Sequence, residues 1–83
     1  MDVTMKDLIK YIAQALVDYP DEVEVYMNEG ETTVVIEVKV APTDIGKVIG
    51  KKGSTVRAMR DILSNATGKV KKKAILEIIG SKR

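Results

Sequence analysis

The chain has 83 residues, 45% of them apolar and 31% charged, with a formal net charge of +2. This length supports one modest core, so we expect a single domain over residues 1–83. The absence of cysteine and histidine excludes disulfides, thiolate metal sites and the commonest general base. With neither a signal peptide nor an apolar run of roughly 20 residues, we expect a cytoplasmic protein that uses no membrane, metal or cofactor.

The two halves of the chain differ in charge. Residues 1–41 hold three lysines against nine acidic residues, a net charge of −6, whereas residues 42–83 hold eleven basic residues against three acidic ones, a net charge of +8. A basic segment of this kind is typical of a protein that binds an anionic polymer. The alternative is that both halves form ordinary solvated surface.

The N-terminal segment predicts a helix over residues 4–18. Thr4 is suited to be its N-cap, and Asp7 places an acid in the first turn. The polar face mixes acids and lysines, which favours a helix packed on a core over one lying on a membrane. Pro20 prevents continuation. The apolar residues recur at helical spacing: Met5, Leu8, Ile9, Ile12, Ala13 and Leu16.

A β-hairpin is predicted next, because two segments with alternating apolar residues flank the turn Asn28-Glu29-Gly30-Glu31. Glu22 and Glu24 alternate with the valines of the first strand, so their charges are expected on the solvated face rather than in a catalytic or metal site. The apolar positions are Val23, Val25 and Met27 in the first strand and Val34, Ile36, Val38 and Val40 in the second.

Two helices are predicted after Pro42. The first is short, is capped by Thr43 or Asp44, and carries Ile45, Val48 and Ile49. The second is capped by Ser54 and ends within Asn65-Ala66-Thr67-Gly68. Its outward face carries Arg57 and Arg60, and its inward face is expected to consist of Val56, Met59, Ile62, Leu63 and Ala66.

Residues 71–79 predict a third strand, with Ala74, Leu76 and Ile78 on one side and Ile75, Glu77 and Ile79 on the other. The element order is therefore α-β-β-α-α-β. Because two helices precede it, the third strand can lie parallel to the second through a crossover. We expect an α+β fold in which three helices cover one face of a three-stranded mixed sheet and the other face is solvated.

The sequence Gly50-Lys51-Lys52-Gly53 lies between the two middle helices. Glycines without Cβ atoms permit a sharp turn and a close approach of ligand to the backbone. The first N–H groups of the following helix lie at the positive end of its dipole, beside Lys51 and Lys52. G-x-x-G alone means only a tight turn, but within a basic segment it indicates a phosphate site.

The chain resembles type II KH domains and, over nearly its whole length, the small stand-alone bacterial KH RNA-binding proteins of the KhpA kind. The resemblance rests on Val56, Met59 and two segments, Asp18-Tyr19-Pro20-Asp21-Glu22-Val23 and Ala41-Pro42-Thr43-Asp44-Ile45-Gly46-Lys47-Val48-Ile49-Gly50-Lys51-Lys52-Gly53. It implies the type II KH fold and a G-x-x-G loop that clamps about four nucleotides of single-stranded RNA, with ssDNA as a possible ligand. It also implies an RNA chaperone or post-transcriptional regulator that forms a homodimer or a complex with a second KH-containing protein.

The resemblance carries RNA-binding roles to ten residues. Gly50 and Gly53 would let the sugar-phosphate backbone pass, and Lys51 and Lys52 would neutralise it. Ser54 stands where these proteins often have a basic residue, which puts one backbone contact in doubt. The remaining candidates are Ile45, Val48 and Ile49 for the apolar floor of the groove under the bases and Lys47, Arg57 and Arg60 for phosphate contacts. Taken singly, the three apolar residues could instead face the core, and the two arginines could be solvated side chains without a ligand.

Two other functions compete with RNA binding. As a nucleotide-binding loop, Gly46–Lys52 is one residue short of a Walker A sequence and lacks Ser or Thr after the lysine, so we expect neither an enzyme nor catalytic residues. A protein-interaction module with little direct RNA binding is the stronger alternative, because a small domain often gains stability by pairing. Salt distinguishes the two, since phosphate binding weakens as salt rises.

Overall fold

A computed structural model describes residues 4–65 and 72–81. The elements follow the predicted order α-β-β-α-α-β, with short 3-10 turns at Pro20–Glu22, Pro42–Asp44 and Lys51–Gly53. The helices are α1 (Met5–Leu16), α2 (Ile45–Ile49) and α3 (Ser54–Asn65), and the strands are β1 (Glu24–Glu29), β2 (Thr33–Val40) and β3 (Lys73–Gly80). Lys71, the predicted first residue of β3, lies outside the described residues.

The sheet has the order β1-β2-β3, with β2 in the centre. β1 is antiparallel to β2, which places Met27 opposite Ile36. β3 is parallel to β2, which places Leu76 opposite the same Ile36. The predicted hairpin and the predicted parallel third strand are both confirmed.

The core lies between one face of this sheet and the three helices. β2 alternates strictly, because successive side chains point to opposite faces. Its inward residues Val34, Ile36, Val38 and Val40 are at most 1% exposed. The helices contribute the other large part of the core: Ile9 and Ala13 from α1, Val48 from α2, and Met59 and Leu63 from α3. The α+β, type II KH arrangement expected from the sequence is confirmed.

α1 begins with the predicted N-cap and ends before residue 18. The Asp7 N–H donates to Thr4 Oγ1 at 3.1 Å, and the Thr4 N–H donates to Asp7 Oδ2 at 3.4 Å. This reciprocal pair satisfies two N–H groups that helix geometry leaves free. The last helical residue is Leu16, because Val17 is extended, with ψ of 161°. Leu16 is 39% exposed, so the predicted apolar face of α1 does not continue to its end.

Two predictions for α3 are wrong. Ser54 has helical dihedral angles, φ −64° and ψ −39°, whereas an N-cap residue is typically extended. Ile62 was expected on the inward face but is 40% exposed, while its neighbour Leu63 is buried. Successive helical residues are separated by about 100°, so Ile62 lies at the margin of the face that Met59 and Leu63 bury. Ala66 and the predicted helix end after Asn65 lie outside the described residues.

Asp44 precedes α2, as predicted, but its side chain does not cap that helix. Its carboxylate instead accepts hydrogen bonds from the Asp18 N–H at 3.2 Å and the Tyr19 N–H at 3.0 Å. Lys47 Nζ donates to the same carboxylate at 3.2 Å. Asp44 is 0% exposed and is the buried charged side chain of the described residues. The carboxylate therefore joins the segment after α1 to the start of α2, which leads into the glycine sequence.

This environment changes the pKa of Asp44. Burial raises the pKa, but the hydrogen bonds from the Asp18 and Tyr19 N–H groups and from Lys47 together lower it by more, so that it lies below its usual value. A carboxyl group whose pKa is lowered by folding stabilises the protein above its unfolded pKa of about 3.9. That contribution is lost as the pH falls through the lowered pKa.

We expect Asp44→Asn to lower Tm at neutral pH by roughly 5–10 °C, because the charge and one of two acceptor oxygens are lost from a buried network. The difference from the wild type should narrow as the pH falls below about 4, because Asp44 binds a proton more readily in the unfolded chain than in the folded protein. Thermal unfolding followed by circular dichroism from pH 3 to pH 7 measures both effects. The matched control is Asp21→Asn at an exposed residue of the same segment. A difference that stays constant with pH, or an equal effect of the control, would contradict this account.

Candidate nucleic-acid interface

Residues Gly50–Gly53, the glycine loop, connect α2 to α3 through three left-handed residues. Their φ angles are +80° at Gly50, +56° at Lys52 and +74° at Gly53. The Gly50 N–H donates to the Gly46 carbonyl at 3.0 Å, and the Gly53 N–H donates to the Gly50 carbonyl at 3.1 Å. Positive φ favours glycine, so the backbone conformation explains both glycines of the loop.

The two glycines differ in the space around them. A Cβ atom on Gly50 would lie 2.3 Å from Thr55 Oγ1 and 2.7 Å from Thr55 Cβ. A Cβ atom on Gly53 would meet only Arg57 Nη2, at 3.9 Å. Gly50 is therefore required both by its conformation and by the packing of the first turn of α3. Gly53 is required by conformation alone, since the added Cβ atom would only come into ordinary van der Waals contact with Arg57.

Lys51 and Lys52 present both backbone donors and charge. Within residues 4–65 and 72–81, no acceptor is bound by the N–H group of either lysine, and both residues are exposed. Lys51 opens a 3-10 turn and Lys52 follows in the left-handed region. Successive N–H groups in such an order form a concavity, called a nest, that binds anions. The loop therefore offers two directed donors and two cationic side chains to a phosphate group.

Arg57 and Arg60 are both exposed, as predicted for the outward face of α3. Arg57 lies beside the glycine loop, since its Nη2 donates to the Lys52 carbonyl oxygen at 3.2 Å. Arg60 lies one turn further on and borders a shallow cavity together with Ser64 and Lys73. The structure thus brings Arg57 to the loop and places Arg60 towards the beginning of β3.

Lys47, a predicted phosphate contact, is exposed but is paired with two carboxylates of the protein itself. Its ammonium group forms an ion pair with the Asp18 carboxylate and lies 3.2 Å from Asp44 Oδ1. The hydrogen bonds to Asp18 and then to Asp44 raise the pKa of Lys47. Two carboxylates therefore balance its charge, and Lys47 belongs to the Asp44 network rather than to the free cations of the loop. The i, i+3 spacing of Asp44 and Lys47 is the sequence signal for this pair.

The three apolar candidates for the groove floor divide into two kinds. Val48 is 0% exposed and belongs to the core, which agrees with the alternative that this side chain faces the core, and in this conformation it presents no surface to a ligand. Ile45 and Ile49 are half-buried. A Cβ atom on Gly80 would lie 3.3 Å from Ile45 Cδ1. Gly80, which the sequence reasoning missed, therefore lets the end of β3 lie close to α2.

None of the helices within residues 4–65 and 72–81 has the length and apolar character needed to cross a membrane. The same residues contain no group of three or more acidic side chains arranged to hold a metal ion.

We expect Gly53→Ala to lower the free energy of unfolding by about 1–2 kcal/mol, the approximate cost of a left-handed conformation for a residue with a Cβ atom. Gly50→Ala should cost more, because the clash with Thr55 adds an overpacking penalty of roughly 1–3 kcal/mol. Urea unfolding measures both changes. Gly46→Ala is the control, since it lies inside α2 with no atom within 4 Å of the added Cβ, and it should be neutral or stabilising. Equal losses at Gly50 and Gly53 would contradict this ranking.

The family model described as the KH domain of KhpA/KhpB matches residues 6–78. The protein named RNA-binding protein KhpA from Caldanaerobacter subterraneus subsp. tengcongensis is 52% identical over 75 residues, which cover 90% of this chain and 100% of that protein. Its namesake from Clostridium acetobutylicum is 48% identical with the same coverage. The Aquifex aeolicus protein of this name is 48% identical, with 90% of this chain and 95% of that protein covered.

A solved structure shares the fold with lower sequence similarity. Aquifex aeolicus Era, bound to GDP.AlF4-, matches with a TM-score of 0.60 and 19% identity over 98% of this chain. This chain spans only 33% of that protein, so the similarity concerns one part of it. At this identity the match shows the fold alone. The family model and the long alignments to full-length relatives decide the classification: the chain belongs to the KhpA/KhpB family of KH domains.

Proposed function

We propose that this protein binds single-stranded RNA by clamping its sugar-phosphate backbone on the glycine loop, and that it acts as an RNA chaperone or post-transcriptional regulator without catalysing a reaction. The observation that carries the proposal is the pair of N–H groups at Lys51 and Lys52, which bind no acceptor in the part of the chain that the structure describes and form a nest flanked by their own side chains. The relatives named RNA-binding protein KhpA support the same ligand.

The geometry of the loop favours backbone recognition over base recognition. N–H donors in a nest bind the oxygens of an anion, and every nucleotide of a single strand supplies such oxygens. Without a Cβ atom, Gly53 lets a sugar-phosphate chain approach the loop backbone closely. Because these contacts are common to all sequences, they give affinity without base preference, and they accept ssDNA as well as RNA.

The half-buried Ile45 and Ile49 are the candidates for contact with bases. Both belong to α2, the helix that leads into the glycine loop, and Ile45 lies near the end of β3. When the sugar-phosphate backbone is held at the loop, an attached base would pack against these aliphatic side chains. Such contacts have no hydrogen-bond pattern, so we expect a modest base preference.

The test compares the wild type with Lys51→Asp/Lys52→Asp by fluorescence anisotropy, using a pool of short single-stranded RNA at several salt concentrations. We expect the variant to lose at least about tenfold in affinity, because two phosphate contacts are replaced by repulsion. The wild-type affinity should fall steeply with salt. In a plot of the logarithm of the binding constant against the logarithm of the salt concentration, each phosphate neutralised on a single strand contributes roughly −0.7 to the slope. Circular dichroism verifies that the variant is folded.

The control is Lys6→Asp/Lys10→Asp, which makes the same change in charge at two exposed residues of α1. It should lose much less affinity than the loop variant. Equal losses in the two variants would show that only the overall charge matters, and unchanged binding by the loop variant would place the RNA elsewhere. A competition series with ssDNA of the same sequence then measures how strongly the site depends on the 2′-hydroxyl group.

Pairing with a second copy or with another KH-containing protein is a second candidate function, and it is compatible with the first. α1 and α3 expose large apolar side chains: Tyr11 is 70% exposed, Leu16 39% and Ile62 40%. Exposed apolar groups on helices are candidates for a protein interface. A site for about four nucleotides also gains affinity when two copies bind one strand, because the second contact becomes intramolecular.

We expect sedimentation equilibrium to show a dimer that Ile62→Lys weakens, since the lysine would place a charge in an apolar contact. Ile75→Lys is the control, because Ile75 is similarly exposed, at 37%, but lies on the open face of the sheet. A dissociation constant of about 100 µM already corresponds to weak association. If the protein stays a monomer at all concentrations up to that value, pairing with a second copy is contradicted. Equal effects of the two variants would show that the interface is not on α3.

A further inference from the structure

We propose that Arg57 is a positioning residue, which holds the glycine loop in its anion-binding conformation and is not itself one of the phosphate contacts. The proposal rests on the function proposed above, because it concerns the same site. It reverses the sequence-based expectation, in which Arg57 is a phosphate contact on the outward face of α3.

The loop contains one residue whose conformation needs support. Lys52 has φ of +56° and ψ of 26° and is the positive-φ residue other than glycine in the described ranges. In this region the Cβ atom of an L-residue approaches the following carbonyl oxygen. Residues held in such conformations persist when the surrounding structure fixes them. The shape of the nest depends on Lys52, since rotation to the right-handed region would turn the Lys52 carbonyl and the Gly53 N–H away from their present directions relative to the Lys52 N–H.

Arg57 supplies that support from α3. Its Nη2 donates to the Lys52 carbonyl oxygen at 3.2 Å, and a charged donor makes a stronger bond than a neutral one. The same nitrogen lies 3.9 Å from the position of a Cβ atom on Gly53, so the guanidinium group passes beside Gly53 to reach Lys52. The Gly53 N–H is fixed separately by the Gly50 carbonyl at 3.1 Å. The loop is therefore fastened on both sides of the Lys52–Gly53 peptide.

The bond to Arg57 also affects the electrostatics of the site. A carbonyl oxygen carries partial negative charge, and an unbonded one at the loop would repel a phosphate group. Arg57 occupies the Lys52 carbonyl and balances its charge. This bond commits Arg57 Nη2 to the loop backbone, whereas the ammonium groups of Lys51 and Lys52 have no partner among the described residues.

Hydrogen–deuterium exchange at the Gly53 amide tests the proposal without RNA. This amide reports the closed loop, because its hydrogen bond to Gly50 breaks when the loop opens. We expect Arg57→Ala to raise its exchange rate by about tenfold, since loss of a charged hydrogen bond makes local opening easier. Arg60→Ala is the matched comparison, because it removes an arginine from the next turn of α3, and it should leave the exchange rate unchanged. Equal exchange in the wild type and in Arg57→Ala overturns the proposal.

RNA titrations of the same variants distinguish positioning from direct contact. Arg57→Ala should weaken binding by about tenfold with an unchanged salt dependence, because no phosphate contact is lost. If Arg60 contacts phosphate, Arg60→Ala should make the slope of the logarithm of the binding constant against the logarithm of the salt concentration less steep by about 0.7. A slope that falls by that amount in Arg57→Ala makes Arg57 a phosphate contact and overturns the proposal. If the wild type binds no RNA, the proposed function fails, whereas the exchange measurement still decides whether Arg57 holds the loop.

Lys52→Gly provides a rescue experiment. Glycine adopts positive φ without the steric penalty, so the loop needs less support when residue 52 is glycine. We expect Arg57→Ala to accelerate Gly53 exchange less in the Lys52→Gly background than in the wild-type background. An equal acceleration in both backgrounds would show that Arg57 does not act on the conformation of Lys52.

Discussion

The parallel pairing of β3 with β2 is the constraint on which the site depends. Parallel neighbours cannot be joined by a tight turn, so the chain must leave the end of β2 and return to the beginning of β3 by a long connection. Here that connection is α2, the glycine loop and α3. Both helices bury apolar residues against the sheet, and the turn between them is left at the surface. The topology therefore creates the position at which an exposed, sharply bent loop is needed.

Hydrogen bonds from side chains fix this connection at its beginning and at its turn. The Asp44 carboxylate holds the start of α2 through N–H groups of Asp18 and Tyr19, and Arg57 holds the carbonyl of Lys52 in the loop. In each case a charged side chain satisfies backbone groups that the regular elements leave unpaired. We infer that the loop is ordered before a ligand arrives, so that less conformational entropy is lost on binding.

The basic residues near the loop have different roles. Lys47 forms ion pairs with Asp18 and Asp44, so its charge is balanced within the protein. Arg57 keeps its charge but commits one of its donors to the loop backbone. Lys51 and Lys52 are exposed at the tip and have no such partner among the described residues. The segment of residues 42–83 is strongly basic, yet only part of that charge is available to RNA. Counting basic residues in the sequence thus overestimates the number of phosphate contacts.

Local patterns in the sequence predicted the fold well, because burial on one face imposes a period on each helix and strand. The alternation of β2 and the helical spacing of α1 identified most of the core, and two glycines flanked by helices identified the loop. The errors concern contacts between distant segments. Thr43 or Asp44 was expected to cap α2, but the partners of the Asp44 carboxylate lie at Asp18 and Tyr19, and no local pattern contains that contact. Ile62 was misplaced because a period does not determine which residue at the margin of a face is covered, and for Val48 the same period left both the core and the groove floor open.

The central claim is that the glycine loop is the place where the nucleic acid backbone binds. NMR titration of the 15N-labelled protein with a short single-stranded RNA tests it most directly, since each amide reports its own surroundings. We expect the largest chemical-shift changes at the amides of Lys51, Lys52 and Gly53, with smaller changes at Ile45 and Ile49. Shifts confined to the open face of the sheet, at residues such as Tyr26 and Glu37, would contradict it.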